Sequence, residues 1–178
     1  MKKILLFFCF ATLLLSCKSG EEKTAATTST ADSTTSKPDL PYTATYSSSW
    51  STDVPDADLK MVLMSYKDWA DNNMSGLGSA MADTVMWYMS SGDDKKLSNA
   101  EITKMFTTYR DSLSSVKIDM TAWQKMYSTD KKEGFILTWY DETDTYKTGK
   151  VDSASYHDIN QVKDGKIILY AQYKRPMK

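Results

Sequence analysis

Between residues 116 and 174 the sequence alternates apolar and polar side chains with a period of two, and this pattern limits the fold more than any other feature of the chain. Three short joints divide it into four runs, and the last joint contains Asp164-Gly165, a pair that supplies the positive φ angles of a tight reversal. Strands joined by such turns pair as neighbours, so the pattern predicts a four-stranded antiparallel meander. The predicted strands are residues 116–127, 134–142, 151–162 and 167–174.

Two helices and a strand are predicted well before this meander. Apolar residues from Leu59 to Ala70 recur with the i, i+3, i+4, i+7 spacing of an amphipathic helix, and Asp56 is placed to cap its start. Two asparagines and two glycines then interrupt the pattern. A short second helix is expected at residues 77–82, and a β-branched and aromatic run predicts a strand at residues 84–89.

A third helix has the clearest start signal. Ser98 and Glu101 have the spacing of a capping box, in which each side chain satisfies the other's backbone N–H, and apolar residues follow at helical spacing. Helices followed by a meander of strands are the order of an α+β protein. The expected architecture is a cone-shaped fold, with about three N-terminal helices packed on a curved, mostly antiparallel sheet.

The N-terminus predicts secretion and lipid attachment. Residues 1–16 have a charged start, an apolar run and a small last residue, as in a signal peptide. The apolar run is shorter than the roughly 20 residues of a permanent membrane span. Residues 14–17 (LLSC) resemble the lipobox of bacterial lipoproteins, which implies that Cys17 receives a diacylglyceryl group and becomes the first residue of the mature chain. The alternative is an ordinary secretory signal with an incidental cysteine.

Residues 17–53 are expected to form the lipidated cysteine and a disordered tether. They are rich in Ser and Thr and bury too little apolar surface to offset the entropy of ordering. The folded domain is therefore predicted at residues 54–178. Residues 18–22 carry an acidic pair similar to the export tags of some surface lipoproteins. These features imply an extracytoplasmic, lipid-anchored protein of the bacterial cell envelope, with the outer membrane favoured.

The composition excludes several kinds of chemistry. Cys9 belongs to the removed segment and Cys17 is taken by lipid, so the mature chain has no thiol for a disulfide, for thiol catalysis or for a metal. With His157 as the only histidine, neither a metal site nor a cofactor is expected. The 22 basic and 23 acidic side chains give a formal charge of -1, without the clustered basic residues of a nucleic-acid surface.

Residues 55–178 resemble the nuclear transport factor two-like superfamily, and its SnoaL-like branch in particular. The resemblance is carried by the long first helix at residues 59–73, the first strand at residues 82–87 (ADTVMW) and the final hairpin at residues 162–167 (VKDGKI), in that order. It implies a cone with a pocket. The superfamily includes isomerases, cyclases, dehydratases, hydrolases and binding or assembly modules, so the fold does not define a reaction.

The final hairpin decides which side chains face the pocket, because alternate residues of a strand face opposite sides of the sheet. A three-residue Lys-Asp-Gly turn with a bulged glycine places Asp158 opposite Tyr170 and Asn160 opposite Ile168. We favour this register because Val162 and Ile168 then give the pocket side an apolar base. It brings together five side chains: Tyr156, Asp158, Asn160, Tyr170 and Gln172.

A two-residue Asp-Gly turn gives the alternative register, in which His157 lies opposite Gln172 and faces the pocket. The residue pattern leaves both registers open. A neutral imidazole is the usual base near neutral pH, which makes His157 a candidate catalytic residue, although a surface or edge histidine is the commoner case. Asp158 is its neighbour, but neighbours in a strand point apart, so the two are not expected to form a dyad.

The resemblance also implies roles for two residues. In the ketosteroid isomerase branch, an acid on the penultimate strand and a tyrosine on the first helix donate hydrogen bonds to a developing oxyanion, and Asp158 and Tyr66 match these positions. The proton-shuttling carboxylate of that branch lies near the end of the first strand, where this chain has Trp87 and Tyr88. A general base must lie within hydrogen-bond reach of its proton, so this departure argues against isomerase chemistry.

Aromatic residues elsewhere suit either a pocket lining or, more commonly, a core or interface. Residues 141–144 (DETD) are expected to form a solvated loop at a hairpin. The tryptophans and tyrosine that admit both interpretations are Trp69, Trp87, Trp123, Trp139 and Tyr140. The predicted ligand-binding set is Tyr66, Trp69, Trp87, Tyr88, Asp158, Asn160, Tyr170 and Gln172.

Three functional hypotheses follow, and the sequence favours the first. The cone binds a small, partly apolar ligand or a protein partner without a complete catalytic set. Alternatively, it is an enzyme of cyclase, dehydratase or isomerase type that acts on a small hydrophobic substrate through Asp158, Tyr66 or His157. A third hypothesis is an assembly module that forms a homodimer through the face of the sheet.

Overall fold

A computed structural model describes residues 39–177, so the predicted signal segment and Cys17 lie outside the described residues. The chain divides after Leu40, and all the helices and strands belong to the unit Pro41–Lys178. Within the described part of the chain, no helix has both the length and the apolar character needed to cross a membrane.

The predicted α+β architecture is confirmed. Residues 39–177 form three helices and one seven-stranded sheet with the strand order β1-β4-β5-β6-β7-β2-β3. Within this sheet the β2–β7 pair is parallel and the other pairs are antiparallel. The predicted meander forms the strands β4 to β7. The helices are α1 (Asp56–Ala70), α2 (Met74–Ala80) and α3 (Asn99–Arg110), and the strands are β1 (Trp50–Ser51), β2 (Met81–Tyr88), β3 (Lys95–Ser98), β4 (Leu113–Ser128), β5 (Glu133–Tyr146), β6 (Val151–Lys163) and β7 (Lys166–Pro176).

The helix starts follow from local chemistry. Ser98 and Glu101 form the predicted capping box at α3. Asp56, predicted to cap α1, is instead its first helical residue, because Pro55 occupies the cap position with its fixed φ of -56°. The Asp56 carboxylate still lies in the first turn of α1, where negative charge is favourable, and accepts a 2.8 Å hydrogen bond from Lys125 on β4.

The ordered domain begins earlier than the predicted boundary at Val54. Trp50 and Ser51 pair with Ser128 and Tyr127 as a short edge strand, although the sequence analysis assigned them to the tether. The reason is aromatic packing, since the Trp50 ring lies 5.9 Å from that of Phe135. The strand β3 was also missed, because four residues with two adjacent lysines carry no alternation.

The final hairpin combines features of both predicted registers. Asp164 and Gly165 have φ angles of 51° and 70°, so the turn has two residues and the favoured three-residue turn is wrong. A β-bulge between Gln161 and Val162 then shifts the pairing by one residue, which places Asp158 opposite Gln172. The shorter turn and the bulge each shift the pairing by one residue, and together they shift it by two. Since alternate residues face the same side, the predicted set of five side chains still shares one face, and His157 faces away from it.

The acidic residues 141–144 are not a solvated loop. They lie inside β5, which continues to Tyr146, and every second residue from Gly134 to Asp144 is buried. Glu142 and Asp144 are therefore only 8% and 4% exposed. The predicted strand ended at Glu142 because the residues that alternate beyond Tyr140 are polar on both faces. The strand nevertheless continues to Tyr146.

The narrow part of the cone is filled by aliphatic side chains. They come from two helices and three strands, and together they hold the helices against the concave face of the sheet. Burial of each such side chain stabilises the fold by about 1.5–3 kcal/mol. The fully buried members are Val62, Val85, Ile102, Ile136 and Ile167.

Candidate functional site

A cavity of about 260 Å³ lies between the helices and the concave face of the sheet. Eight aromatic side chains form most of its wall, and polar groups lie at the floor and near the mouth. The aromatic members are Tyr66, Trp69, Trp87, Phe106, Tyr109, Tyr140, Tyr156 and Tyr170, and the remaining members are Ser65, Leu77, Met81, Met105, Glu142, Asn160, Gln172 and Lys174.

Three tyrosine hydroxyls converge on one carboxylate oxygen beneath this floor. Asp158 on β6 is fully buried, and its Oδ2 accepts hydrogen bonds from Tyr66 on α1 (2.9 Å), Tyr140 on β5 (2.9 Å) and Tyr170 on β7 (2.7 Å). Its Oδ1 is buried and has no hydrogen-bond partner among the described residues. Burial raises the pKa of Asp158 to about 6, although the three hydroxyl donors oppose the rise.

Amide side chains fix the orientation of these hydroxyls. Gln172 Nε2 donates to the Tyr170 hydroxyl at 2.8 Å and to the Tyr140 hydroxyl at 3.3 Å. Asn160 Nδ2 donates to the Tyr66 hydroxyl at 3.1 Å. Because these oxygens accept from amides, their protons point to Asp158. Burial holds the pKa of all three tyrosines well above 10, so they stay neutral donors.

Glu142 forms a second acidic group on the cavity wall. Its Oε2 accepts a 3.0 Å hydrogen bond from the Trp69 indole, and it takes part in no ion pair among residues 39–177. Burial raises the pKa of Glu142 to about 8, and the nearby Asp144 carboxylate contributes to the rise. The side chain is therefore largely protonated at neutral pH and can donate or accept a proton.

Further polar groups lie near the mouth. The Tyr109 hydroxyl donates to Asp144 Oδ2 at 2.9 Å and lies 3.0 Å from the Tyr146 hydroxyl. Lys174 Nζ donates to Asp152 Oδ2 at 3.3 Å and lies 5.7 Å from the centre of the Tyr156 ring. These contacts join α3 to β5 and β7 to β6 around the opening.

Comparison with solved structures identifies the fold. An NTF2-like protein of unknown function from Burkholderia pseudomallei matches with a TM-score of 0.54 and 13% identity over 67% of this chain and 91% of that chain. An LEH-like epoxide hydrolase from M. tuberculosis matches with a TM-score of 0.56 and 11% identity, over 67% and 84%. A hypothetical protein with a ketosteroid isomerase-like fold from Catenulispora acidiphila, in complex with trimethylamine, matches with a TM-score of 0.53 and 12% identity, over 64% and 84%.

This chain has the NTF2-like fold. At such identities the likeness extends to the fold alone, because this architecture hosts unrelated activities. No model of a known protein family and no curated protein matches the sequence. The side chains of this NTF2-like cone are therefore the evidence for its function.

Most of the predicted site residues meet in the NTF2-like cavity. Asp158 lies directly below the lining, hydrogen-bonded to Tyr66, whereas Tyr88 is not part of the lining. The β2 strand begins at Met81 and so contains one acid, Asp83, which is exposed and outside the cavity. The predicted residues that line the cavity are Tyr66, Trp69, Trp87, Asn160, Tyr170 and Gln172.

His157 lies on the outer face of the sheet. Its ring stacks on Trp139 at 4.7 Å and lies 6.0 Å from that of Tyr173, and Nε2 is buried without a partner among the described residues. It cannot act with Asp158, as the alternation of the strand predicts. Within residues 39–177 no three His, Cys, Asp or Glu side chains cluster in a way that could hold a metal ion.

Glu142 is a site residue that the sequence pattern did not predict. The loop predicted at residues 141–144 would place this carboxylate in solvent, whereas in β5 it lies on the cavity wall. The signal that could have located it is the strict alternation of β5, which continues in register from Tyr140 through Glu142 to Asp144.

Proposed function

We propose that this protein is a lipid-anchored protein of the bacterial envelope whose cone, of the SnoaL-like branch, binds a small, partly apolar molecule. The observation that carries the binding proposal is the cavity itself, with eight aromatic side chains around a polar floor. Attachment through Cys17 is supported by the lipobox-like residues 14–17.

The size and lining of the cavity support binding of a small ligand. Its volume of about 260 Å³ lies just below the range of about 300–1,000 Å³ that is typical of pockets for drug-sized ligands. Aromatic walls provide large contact areas at low entropic cost, and a few polar groups fix the orientation of a ligand. Gln172 and the tyrosine hydroxyls provide such groups at the floor.

The polar floor favours binding over catalysis by Asp158 or His157. Asp158 lies below Tyr66, Tyr140 and Tyr170 with no exposed surface, so a ligand meets the hydroxyls rather than the carboxylate. His157 is on the other face of the sheet. Of the three candidate catalytic residues, only Tyr66 lines the cavity.

One observation favours a second function, an enzyme of cyclase, dehydratase or isomerase type. Glu142 provides a carboxyl group on the same cavity wall, with its pKa raised to about 8, where a general acid or base operates well near neutral pH. The tyrosine hydroxyls at the floor could then stabilise a developing negative charge on the substrate. Incubation with compounds that bind distinguishes the two, since an enzyme changes their mass or structure and a binding protein returns them unchanged.

A melting assay against a panel of small molecules tests the binding proposal. Compounds that bind the cone raise the melting temperature of the wild-type domain, because a ligand that binds only the folded state stabilises it. Met105→Trp places a large ring in the cavity and is expected to abolish the shifts. Met64→Trp makes the same change on the exposed side of α1 and is expected to retain them. Shifts that survive in Met105→Trp, or a panel without any shift, would contradict the proposal.

A further inference from the structure

We propose that the ligand of this cavity is a small organic cation with a methylated ammonium group, held between the aromatic walls and the Glu142 carboxylate. This inference rests on the proposed binding function and names the chemical class of its ligand. It is carried by a juxtaposition: a buried carboxyl group that forms no ion pair with any described residue lies in a wall whose residues are half aromatic.

The aromatic walls suit a cation that has no N–H to donate. The Trp69 and Tyr109 rings are nearly parallel at 5.9 Å, and the Phe106 ring lies 5.8 Å from that of Trp69 and 5.3 Å from that of Trp87. The negative faces of such rings attract cations, most strongly where water is excluded. The mouth already holds one contact of this type, between the Lys174 ammonium and the Tyr156 ring at 5.7 Å.

Glu142 provides the matching negative charge. It is nearly buried, and the Trp69 indole donates to Oε2, whereas no described residue donates to Oε1. An ionised carboxylate in such a place is unfavourable without a cation, so the empty site holds a proton instead. When an organic cation enters, the carboxyl O–H bond breaks, the proton passes to solvent, and the carboxylate pairs with the ammonium group.

The other charges around Glu142 do not provide this cation. Lys174 lines the mouth and weakly lowers the pKa of Glu142, but its ammonium group donates to Asp152 and lies over the Tyr156 ring instead of pairing with Glu142. Arg110 is buried, and its guanidinium donates to backbone carbonyls of Trp69, Ala70 and Leu113. The titratable and charged groups that face Glu142 are Tyr140 and Asp144 on β5, Tyr156 and Asp158 on β6, Lys174 on β7 and Tyr109 on α3.

Two isosteric probes test the inference, because choline and 3,3-dimethyl-1-butanol have the same shape and differ in charge. Calorimetric titration at pH 8 is expected to give choline at least tenfold higher affinity. Glu142→Gln keeps the acceptor for Trp69 and removes the charge, so the preference should fall severalfold, to the smaller part that the aromatic rings provide. Asp141→Asn removes a charge from the next residue of β5, on the other face of the sheet, and should leave the preference unchanged.

The pH dependence provides a second readout. Because the pKa of Glu142 is raised to about 8, choline must displace a proton at lower pH. Its affinity should rise by up to about tenfold per pH unit between pH 6 and 8 and then level off, whereas that of the neutral isostere should stay constant. Loss of this dependence in Glu142→Gln supports the inference.

Several results would overturn the inference, and they separate it from the proposed function. Equal affinity for the two probes contradicts a cation site but leaves small-molecule binding intact. A second result also contradicts the cation site and leaves small-molecule binding intact. In it, neither probe binds, but other compounds raise the melting temperature of the wild-type domain and not that of Met105→Trp. A preference for choline that is undiminished in Glu142→Gln contradicts the role of this carboxylate. If no compound of any class binds, both the inference and the proposed function fail.

Discussion

The hydroxyl of Tyr170 donates a 2.7 Å hydrogen bond to Oδ2 of Asp158, the shortest of the three tyrosine contacts to that buried carboxylate. The two residues lie on adjacent strands and are not directly opposite each other, since Asp158 pairs with Gln172. Their contact joins β6 to β7 at the floor of the cavity. It therefore links the stability of the sheet to the shape of the candidate binding site.

Tyr170→Phe should destabilise the domain by about 1–3 kcal/mol, because it removes one of the three hydroxyl donors to the buried Asp158 carboxylate and the shorter of the two hydrogen bonds of the Gln172 amide. Urea unfolding measures the change. Tyr173→Phe removes the same hydroxyl from a side chain that is 55% exposed on the same strand, and should change the free energy of unfolding by less than about 0.5 kcal/mol. Equal effects of the two changes would contradict a structural role for the tyrosine–aspartate cluster.

The raised pKa of Glu142 predicts how stability depends on pH. The folded-state pKa of about 8 lies above the ordinary value of 4.5, so the unfolded chain loses this proton first as the pH rises. The stabilisation is complete below about pH 4.5 and is lost as the pH rises to about 8. Asp158, whose pKa is raised to about 6, acts in the same direction at lower pH.

Glu142→Gln should therefore be less sensitive to pH than the wild-type protein. Denaturation between pH 5 and pH 9 is expected to show a smaller loss of unfolding free energy in this variant. Asp141→Asn, the control on the other face of β5, should keep the wild-type slope. Identical slopes for the wild-type protein and Glu142→Gln would show that this carboxyl group titrates normally.

The lipid anchor is tested by exchanging each cysteine separately. Cys17→Ser removes the thiol that the lipobox-like motif predicts as the lipid acceptor, so metabolic labelling with a fatty acid should be lost. Cys9→Ser makes the same change within the apolar run and should still label. Labelling of Cys17→Ser, or its loss in Cys9→Ser, would contradict attachment at Cys17.

Packing of the segment before α1 predicts an effect of truncation. A chain that begins at Val54 lacks Tyr46 and Trp50, whose rings lie 6.4 and 5.9 Å from that of Phe135. It should be less stable by about 1–2 kcal/mol than a chain that begins at Pro41. A chain that begins at Tyr46 removes only exposed residues and should match the longer one. Equal stability of all three would show that residues 46–53 belong to the tether after all.

Much of the fold was predictable because local patterns and tertiary structure agree. Period-two alternation located four long strands, and the Ser98–Glu101 capping box located the start of α3. The elements that the sequence did not predict are those without a local residue pattern. The edge strand at Trp50 depends on Phe135, which is 85 residues away in sequence, and the two-residue strand is too short to show alternation.

The sequence predicted which side chains of β6 and β7 share the face of the sheet toward the cavity, but not the pairing register of the two strands. The bulge beside Val162 has no sequence signal, yet it determines that Asp158 rather than His157 faces the tyrosines. Glu142 was missed because an acidic residue normally marks the surface, and burial of a carboxyl group becomes apparent only when its surroundings are known. The sequence therefore predicted several aromatic residues of the cavity wall, such as Trp69 and Trp87, but not the Glu142 carboxyl group among them.

Binding of a small molecule inside the cone is tested most directly by the indole N–H resonances of the five tryptophans. Trp69 and Trp87 line the cavity, whereas Trp50 and Trp123 are exposed elsewhere and serve as controls in the same sample. A compound that raises the melting temperature should shift the resonances of Trp69 and Trp87 and leave those of Trp50 and Trp123 in place. Shifts confined to Trp50 or Trp123, with Trp69 and Trp87 unchanged, would contradict a ligand site in the cone.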